Sequence, residues 1–237
     1  MDRPIEAERV ALVEARLRGG RKKQLIRHLA LALLVIGICS CRPNPPVAPG
    51  ATTTDLRSVL LITVDPLRAD HLSAYGYGLP TSPTVDRLAH GGVIFKHAFS
   101  GSACTAPSTA SIMVGRYPSF HTVGVLNGLF QLNPSAVTLA EVLSANGYRT
   151  GAIIGNPVLR AAVGFAQGFE TYDDDLEGSE LNRPRTRERT AERVVDLAQT
   201  WFDGADGRPG FLWLHFQDPH GPYTPPEGWA PFQTAGT

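Results

Sequence analysis

Three places in this 237-residue sequence combine reactive side chains with the setting that chemistry needs. The first is Asp65, which ends the apolar run SVLLITV and precedes Pro66. A carboxylate at a strand terminus is a common ligand for a hard cation, and it is equally a turn-forming or helix-capping residue. The second is CTAPSTASIMVGR, residues 104–116, where the Thr105 hydroxyl stands just before a Pro at a helix start. The dipole and free N–H groups there favour an anionic ester or its transition state. A threonine is a poor nucleophile unless a base or a metal acts on it, and a plain N-cap is its other role. The third is HFQDPHGPY, residues 215–223. It places His215, Asp218 and His220 within six residues of a Pro-rich loop, a set able to bind a metal or an oxyanion. Asp70 and His71, close behind Asp65, read instead as capping or loop-fixing groups.

These residues lie far apart along the chain, so a fold must bring them together. Residues 58–64 are apolar and rich in β-branched side chains, which predicts a buried, central parallel strand. Residues 84–90 predict a helix, 93–95 a second strand, and 108–114 a helix with Thr105 at or just before its start. Residues 137–145 predict a helix closed by Asn146-Gly147, and 148–154 a further strand. An amphipathic helix over 189–202 precedes a buried strand over 211–216. Strands separated by helices of this length imply βαβ units and a mostly parallel sheet flanked by helices, an α/β fold. Ligands of such sheets sit beyond the carboxyl ends of the strands, where Asp65, Asp218 and His220 fall.

The blocks LLITVDPLRADHLSAYGY, TAPSTASIMVGRYPSFHTVG, TLAEVLSANGYRTGAIIGNPVL and FLWLHFQDPHGPYTPP occur in an order that resembles the sulfatases of the alkaline phosphatase superfamily. The resemblance covers about residues 57–228. It implies metal-assisted hydrolysis or transfer at sulfate or phosphate esters, with a divalent cation (calcium, magnesium, zinc or manganese). Asp65 matches the first metal ligand, and Thr105 matches the nucleophile, which also touches the metal. His220, with His215 beside it, matches substrate or leaving-group contacts. The sequence departs from the family pattern at several positions. The Cys or Ser that active sulfatases oxidise to formylglycine is Thr105 here, and Thr109 stands where the Arg of Cys-x-Pro-x-Arg belongs. Starting the register at Cys104 again lacks the Arg, so neither residue is expected to become formylglycine. The second Asp of the metal site is Pro66, and the Lys after the GYRT block is Asn156. A Thr nucleophile resembles the phosphoglycerol and phosphoethanolamine transferases of the same superfamily. This makes a Thr-dependent phosphotransferase or phosphodiesterase the alternative activity.

The rest of the chain reads as an address. Arg21, Lys22, Lys23 and Arg27 precede an apolar run of ten residues, 29–38. That is a secretory signal in form, and too short for the roughly 20 residues of a spanning helix. Ile38-Cys39-Ser40-Cys41 resembles a bacterial lipobox, which implies cleavage before Cys41 and lipidation of its thiol. The predicted organisation is a signal peptide over 1–41, a Pro/Thr-rich tether over 42–56, and a sulfatase-like domain over 57–237. The expected location is the bacterial cell envelope, lipid-anchored on the periplasmic or extracellular face. Lys plus Arg and Asp plus Glu both number 22, so the zero net charge gives no nucleic-acid footprint. Residues 1–29 hold eight basic and four acidic residues, which leaves the body mildly acidic. Cys39, Cys41 and Cys104 are too few for a disulfide framework or a structural zinc site. No D-H-G-E-like segment follows His220. The domain is therefore expected to be incomplete at its C-terminus, completed by a further chain or left as a lipoprotein without catalysis.

Overall fold

A computed structural model of the chain describes residues 56–124, 131–176, 188–221 and 223. The signal segment, Cys41 and the tether lie outside the described residues. Four strands form one parallel sheet: β1 (Val59–Val64), β2 (Arg149–Ile154), β3 (Thr171–Asp173) and β4 (Gly210–Phe216), in the order β1-β4-β2-β3. The helices are α1 (Pro83–Gly91), α2 (Thr105–Val114), α3 (Pro118–His121), α4 (Leu139–Ala145) and α5 (Ala191–Asp203). Among the described residues no helix is long and apolar enough to cross a membrane.

The period of two along each strand sorts the sheet into two faces. Leu61, Ala152, Ile154, Phe211 and Trp213 point to one face, where they pack with Ala106, Ala110 and Met113 of α2 and Ala140 of α4. Ile153, Leu212 and Leu214 point to the other and meet Val194 and Ala198 of α5. Helix starts are fixed locally. The Thr138 hydroxyl accepts from Glu141 N–H at 3.1 Å while the Glu141 carboxylate accepts from Thr138 N–H at 2.8 Å, a capping box that opens α4. At the other end of α2, Gly115 takes φ 65°, the left-handed conformation that stops a helix.

The sheet differs from expectation in three places. β1 is not central. Among the described strands it pairs only with β4 and so lies at the margin of the described sheet, and Leu60 and Ile62 are half exposed on the α5 face. An apolar run records a tendency to be covered, and here α5 lies over β2 and β4 instead. Residues 93–95 form no strand: Val93 and Phe95 are largely exposed and no ladder includes them. β3, three residues long, was too short to show a period, and it exists because Thr171–Asp173 fall in register beside Gly151–Ile153.

α5 is seated through Trp201. Its indole N–H donates to the Thr171 hydroxyl at 3.0 Å, and the Arg149 guanidinium lies 3.7 Å from the ring centre. The ring crosses β2 where Gly151 offers no side chain, and a Cβ there would run into the Trp201 ring. Gly151→Val should therefore destabilise the domain by about 1–3 kcal/mol, read as a lower urea midpoint with an unchanged slope. An unchanged midpoint would mean that α5 is not held in this way.

Candidate active site

The two sequence segments that begin the site meet at one hydrogen bond. Thr105 is the first residue of α2, and its Oγ1 donates to Asp65 Oδ2 at 2.6 Å across 40 residues of sequence. The N-cap of α2 is Cys104, which makes no side-chain capping bond. Thr105 is thus no N-cap: its hydroxyl is turned to a carboxylate, while the helix start lies beside it. Asp65 is placed by the strand pairing, since its N–H donates to the Phe216 carbonyl at 2.9 Å as the ladder between β1 and β4 ends. Cys104 is a free, exposed thiol.

Beneath this pair, on the same face of the sheet, lies a buried polar floor. Thr63 sits two residues before Asp65 and pairs in register with His215. The Thr63 hydroxyl is 2.8 Å from His215 Nδ1 and accepts from Trp213 Nε1 at 3.0 Å. Asn156, just past β2, donates through Nδ2 to Gln217 Oε1 at 2.8 Å, and both residues are buried. His215 is only 1% exposed and offers no surface to a ligand. Burial pushes its pKa down to about 4, against the Asp65 carboxylate and the Gln217 side chain, which both favour the protonated ring.

The histidine-rich loop divides. His215 belongs to the floor. Asp218 turns away: its Oδ1 accepts from Ala191 N–H at 2.9 Å, at the first turn of α5. His220 stands half exposed in the turn after β4, with its N–H donating to the Gln217 carbonyl at 2.9 Å. Its Nδ1 is 2.9 Å from the Gly221 carbonyl and 3.9 Å from the buried Glu188 carboxylate. Among the described residues the Asp70 carboxylate bonds Arg68, at 2.9 and 2.6 Å, in an exposed 3-10 turn, which is a loop-fixing role. Sequence reasoning singled out neither Thr63 nor Gln217. The available signal was the alternation itself: Thr63 and Asp65, like His215 and Gln217, are polar residues two apart at the end of an apolar strand.

Asp65 and Thr105 are oxygen donors of the kind a hard divalent cation takes. They fit one side of such a site, and among the described residues no cluster of three His, Cys, Asp or Glu closes around a cation.

The sulfatase family model matches residues 57–236. This chain belongs to the sulfatase family. Mouse iduronate 2-sulfatase is 34% identical over 128 residues, which cover 54% of this chain and 23% of that protein. The sulfatase-family chain therefore spans less than a quarter of that curated relative. The fold is also that of solved structures. BT4656, in complex with its substrate D-glucosamine-2-N,6-O-disulfate, aligns with a TM-score of 0.60 at 21% identity, over 71% of this chain and 36% of that one. A phosphonate monoester hydrolase of Agrobacterium radiobacter aligns with a TM-score of 0.57 at 23% identity, over 73% and 43%.

The buried histidines give this sulfatase-family domain an acid limit. Unfolded His215 takes up its proton near the ordinary 6.5, but folded His215 resists until about 4. Between those values the unfolded state holds more protons, so stability falls as pH drops through that window, by up to about 3 kcal/mol. Burial lowers His121 in the same direction. Urea unfolding at pH 7 and pH 4.5, in EDTA, should show this loss, and His215→Gln should show less of it.

Proposed function

We propose that this chain carries the nucleophile side of a metal-dependent ester hydrolase acting on sulfate or phosphate esters outside the cytoplasm. The observation that carries the reading is the 2.6 Å hydrogen bond from the Thr105 hydroxyl to the Asp65 carboxylate at the start of α2. In this reading Thr105 Oγ1 attacks the ester sulfur or phosphorus as its proton passes to Asp65 Oδ2. The bond to the leaving alcohol breaks, and His220, exposed in the turn beside the strand ends, supplies the alcohol with a proton. Water then releases the group from Thr105. The start of α2 stabilises the negative charge that builds on the ester oxygens. Asp65 and Thr105 would hold one side of a divalent cation, which when bound would neutralise those oxygens and make the hydroxyl more acidic.

The same pair favours a second reading, a phosphotransferase or phosphodiesterase on this fold. A threonine cannot be oxidised to the formylglycine aldehyde, and here it meets the carboxylate directly. Nitrophenyl sulfate and nitrophenyl phosphate mono- and diesters, each with zinc, manganese or calcium, separate the two. EDTA should abolish turnover and added metal restore it. Thr105→Ala should lower kcat/KM about a thousand-fold or more, while Cys104→Ala should leave it within a few-fold. The opposite pattern would move the nucleophile to Cys104.

Export and anchoring are part of the same proposal and rest on the basic-apolar leader and the Ile38–Cys41 motif. In a bacterial host, labelled palmitate should enter the wild-type chain and not Cys41→Ala. Equal labelling of both would remove the anchor.

A further inference from the structure

A second buried histidine, which the ester chemistry leaves unused, packs against α2. His121 ends α3 and is only 3% exposed. Both of its ring nitrogens have partners. Val123 N–H donates to Nδ1 at 3.1 Å, and Nε2 lies 3.0 Å from Ser111 Oγ on α2.

These partners leave one placement of the protons. A backbone N–H can only donate, so Nδ1 accepts and carries no hydrogen. A neutral imidazole has one ring hydrogen, which therefore sits on Nε2 and is donated to Ser111 Oγ. Burial lowers the pKa of the ring, which keeps it neutral at pH 7. The Ser111 hydroxyl gives its own hydrogen to the Pro107 carbonyl at 3.0 Å, an atom that can only accept. The opposite placement, with Ser111 donating to Nε2, would set an Nδ1–H against Val123 N–H. The row from Val123 through His121 and Ser111 to Pro107 thus runs in one direction, with every hydrogen used.

The backbone is bent to make this row. Thr122 takes φ 60° and ψ 4°, and among the described residues it is the one non-glycine with a positive φ. A β-branched residue is disfavoured there and persists only where its surroundings fix it. The bend brings Val123 N–H back onto the ring of His121. On the other side, a Cβ at Gly101 would stand 2.8 Å from Ser111 Oγ, so the loop leading into Thr105 passes over the same hydroxyl. Pro107 lies two residues after Thr105. Ser111 therefore meets the chain both before and after the hydroxyl that faces Asp65.

We propose that His121 is a positioning residue: an Nε2-protonated imidazole that holds Ser111, and through it the Pro107 carbonyl and the Gly101 loop, so that α2 presents Thr105 to Asp65. This rests on the reading of Thr105 as the reacting hydroxyl. His121 acts through Ser111 and takes no part in the ester chemistry itself.

Nitrogen NMR and amide exchange of the labelled 237-residue chain test this without turnover, so its failure is distinct from a failure of the ester assays. The wild-type His121 ring should be protonated at Nε2 and bare at Nδ1 at pH 7. The two halves of the row can then be removed separately. The side chain of His121→Asn still accepts from Val123 but falls short of Ser111. That of His121→Gln reaches Ser111 with an amide N–H but offers Val123 no acceptor. The Ser108 amide closes the first turn of α2 onto the Cys104 carbonyl at 3.1 Å. It should exchange about tenfold faster in His121→Asn and in Ser111→Ala, and at close to the wild-type rate in His121→Gln. The Val123 amide should show the reverse between the two His121 variants. Ser111→Ala provides the readout if His121→Asn does not fold. A wild-type ring protonated at Nδ1 would overturn the proposal. So would a Ser108 amide that keeps its wild-type rate in the folded variants, or one that quickens equally in His121→Asn and His121→Gln.

Discussion

Everything at this site depends on one constraint: a carboxylate at the end of a strand and a hydroxyl at the start of a helix must lie a hydrogen bond apart. Asp65 and Thr105 satisfy it at 2.6 Å, and neither could do so alone. β1 carries Asp65 to the sheet margin only because its ladder with β4 ends there, through Asp65 N–H and the Phe216 carbonyl. α2 begins at Thr105 only because its apolar face, Ala106, Ala110 and Met113, is buried on the sheet. The Asp65–Thr105 contact is thus set by a strand pairing within the sheet and by the packing of α2 on the face opposite α5.

The convergence was legible in the sequence because parallel α/β sheets gather the ends of their strands. Once residues 58–64 and 211–216 are strands and Thr105 opens a helix, Asp65 and Thr105 have few other places to be. What could not be read was whatever depends on neighbours. The outer place of β1 in the described sheet is a matter of strand order, which Leu60 and Ile62 do not encode. β3 is three residues borrowed from a turn by the register of β2. The grouping of His215, Asp218 and His220 by nearness in sequence was misleading for a related reason. A strand end followed by a turn sends adjacent side chains in different directions, so one enters the core, one meets a helix and one stays at the surface.

The departures from the sulfatase pattern take on physical sense in place. Thr109 and Asn156, which the sequence resemblance sets against an Arg and a Lys of the family pattern, are both buried, and Asn156 is bonded to Gln217. A buried cation needs a partner to offset its lost hydration, whereas short neutral side chains can be absorbed into the core and its hydrogen bonds. The floor of Thr63, Asn156, His215 and Gln217 is a neutral polar layer, in which a histidine held uncharged by burial is compatible with its surroundings.

One contact ties the site to the far side of the sheet. Asp218 lies two residues before His220 and grips the first turn of α5, whose last turn carries Trp201 across β2. The helix therefore touches the loop bearing His220 at one end and Gly151 at the other. Thirteen residues of one helix thus join the turn after β4 to the outer face of β2, so the two anchor points of α5 belong to a single element.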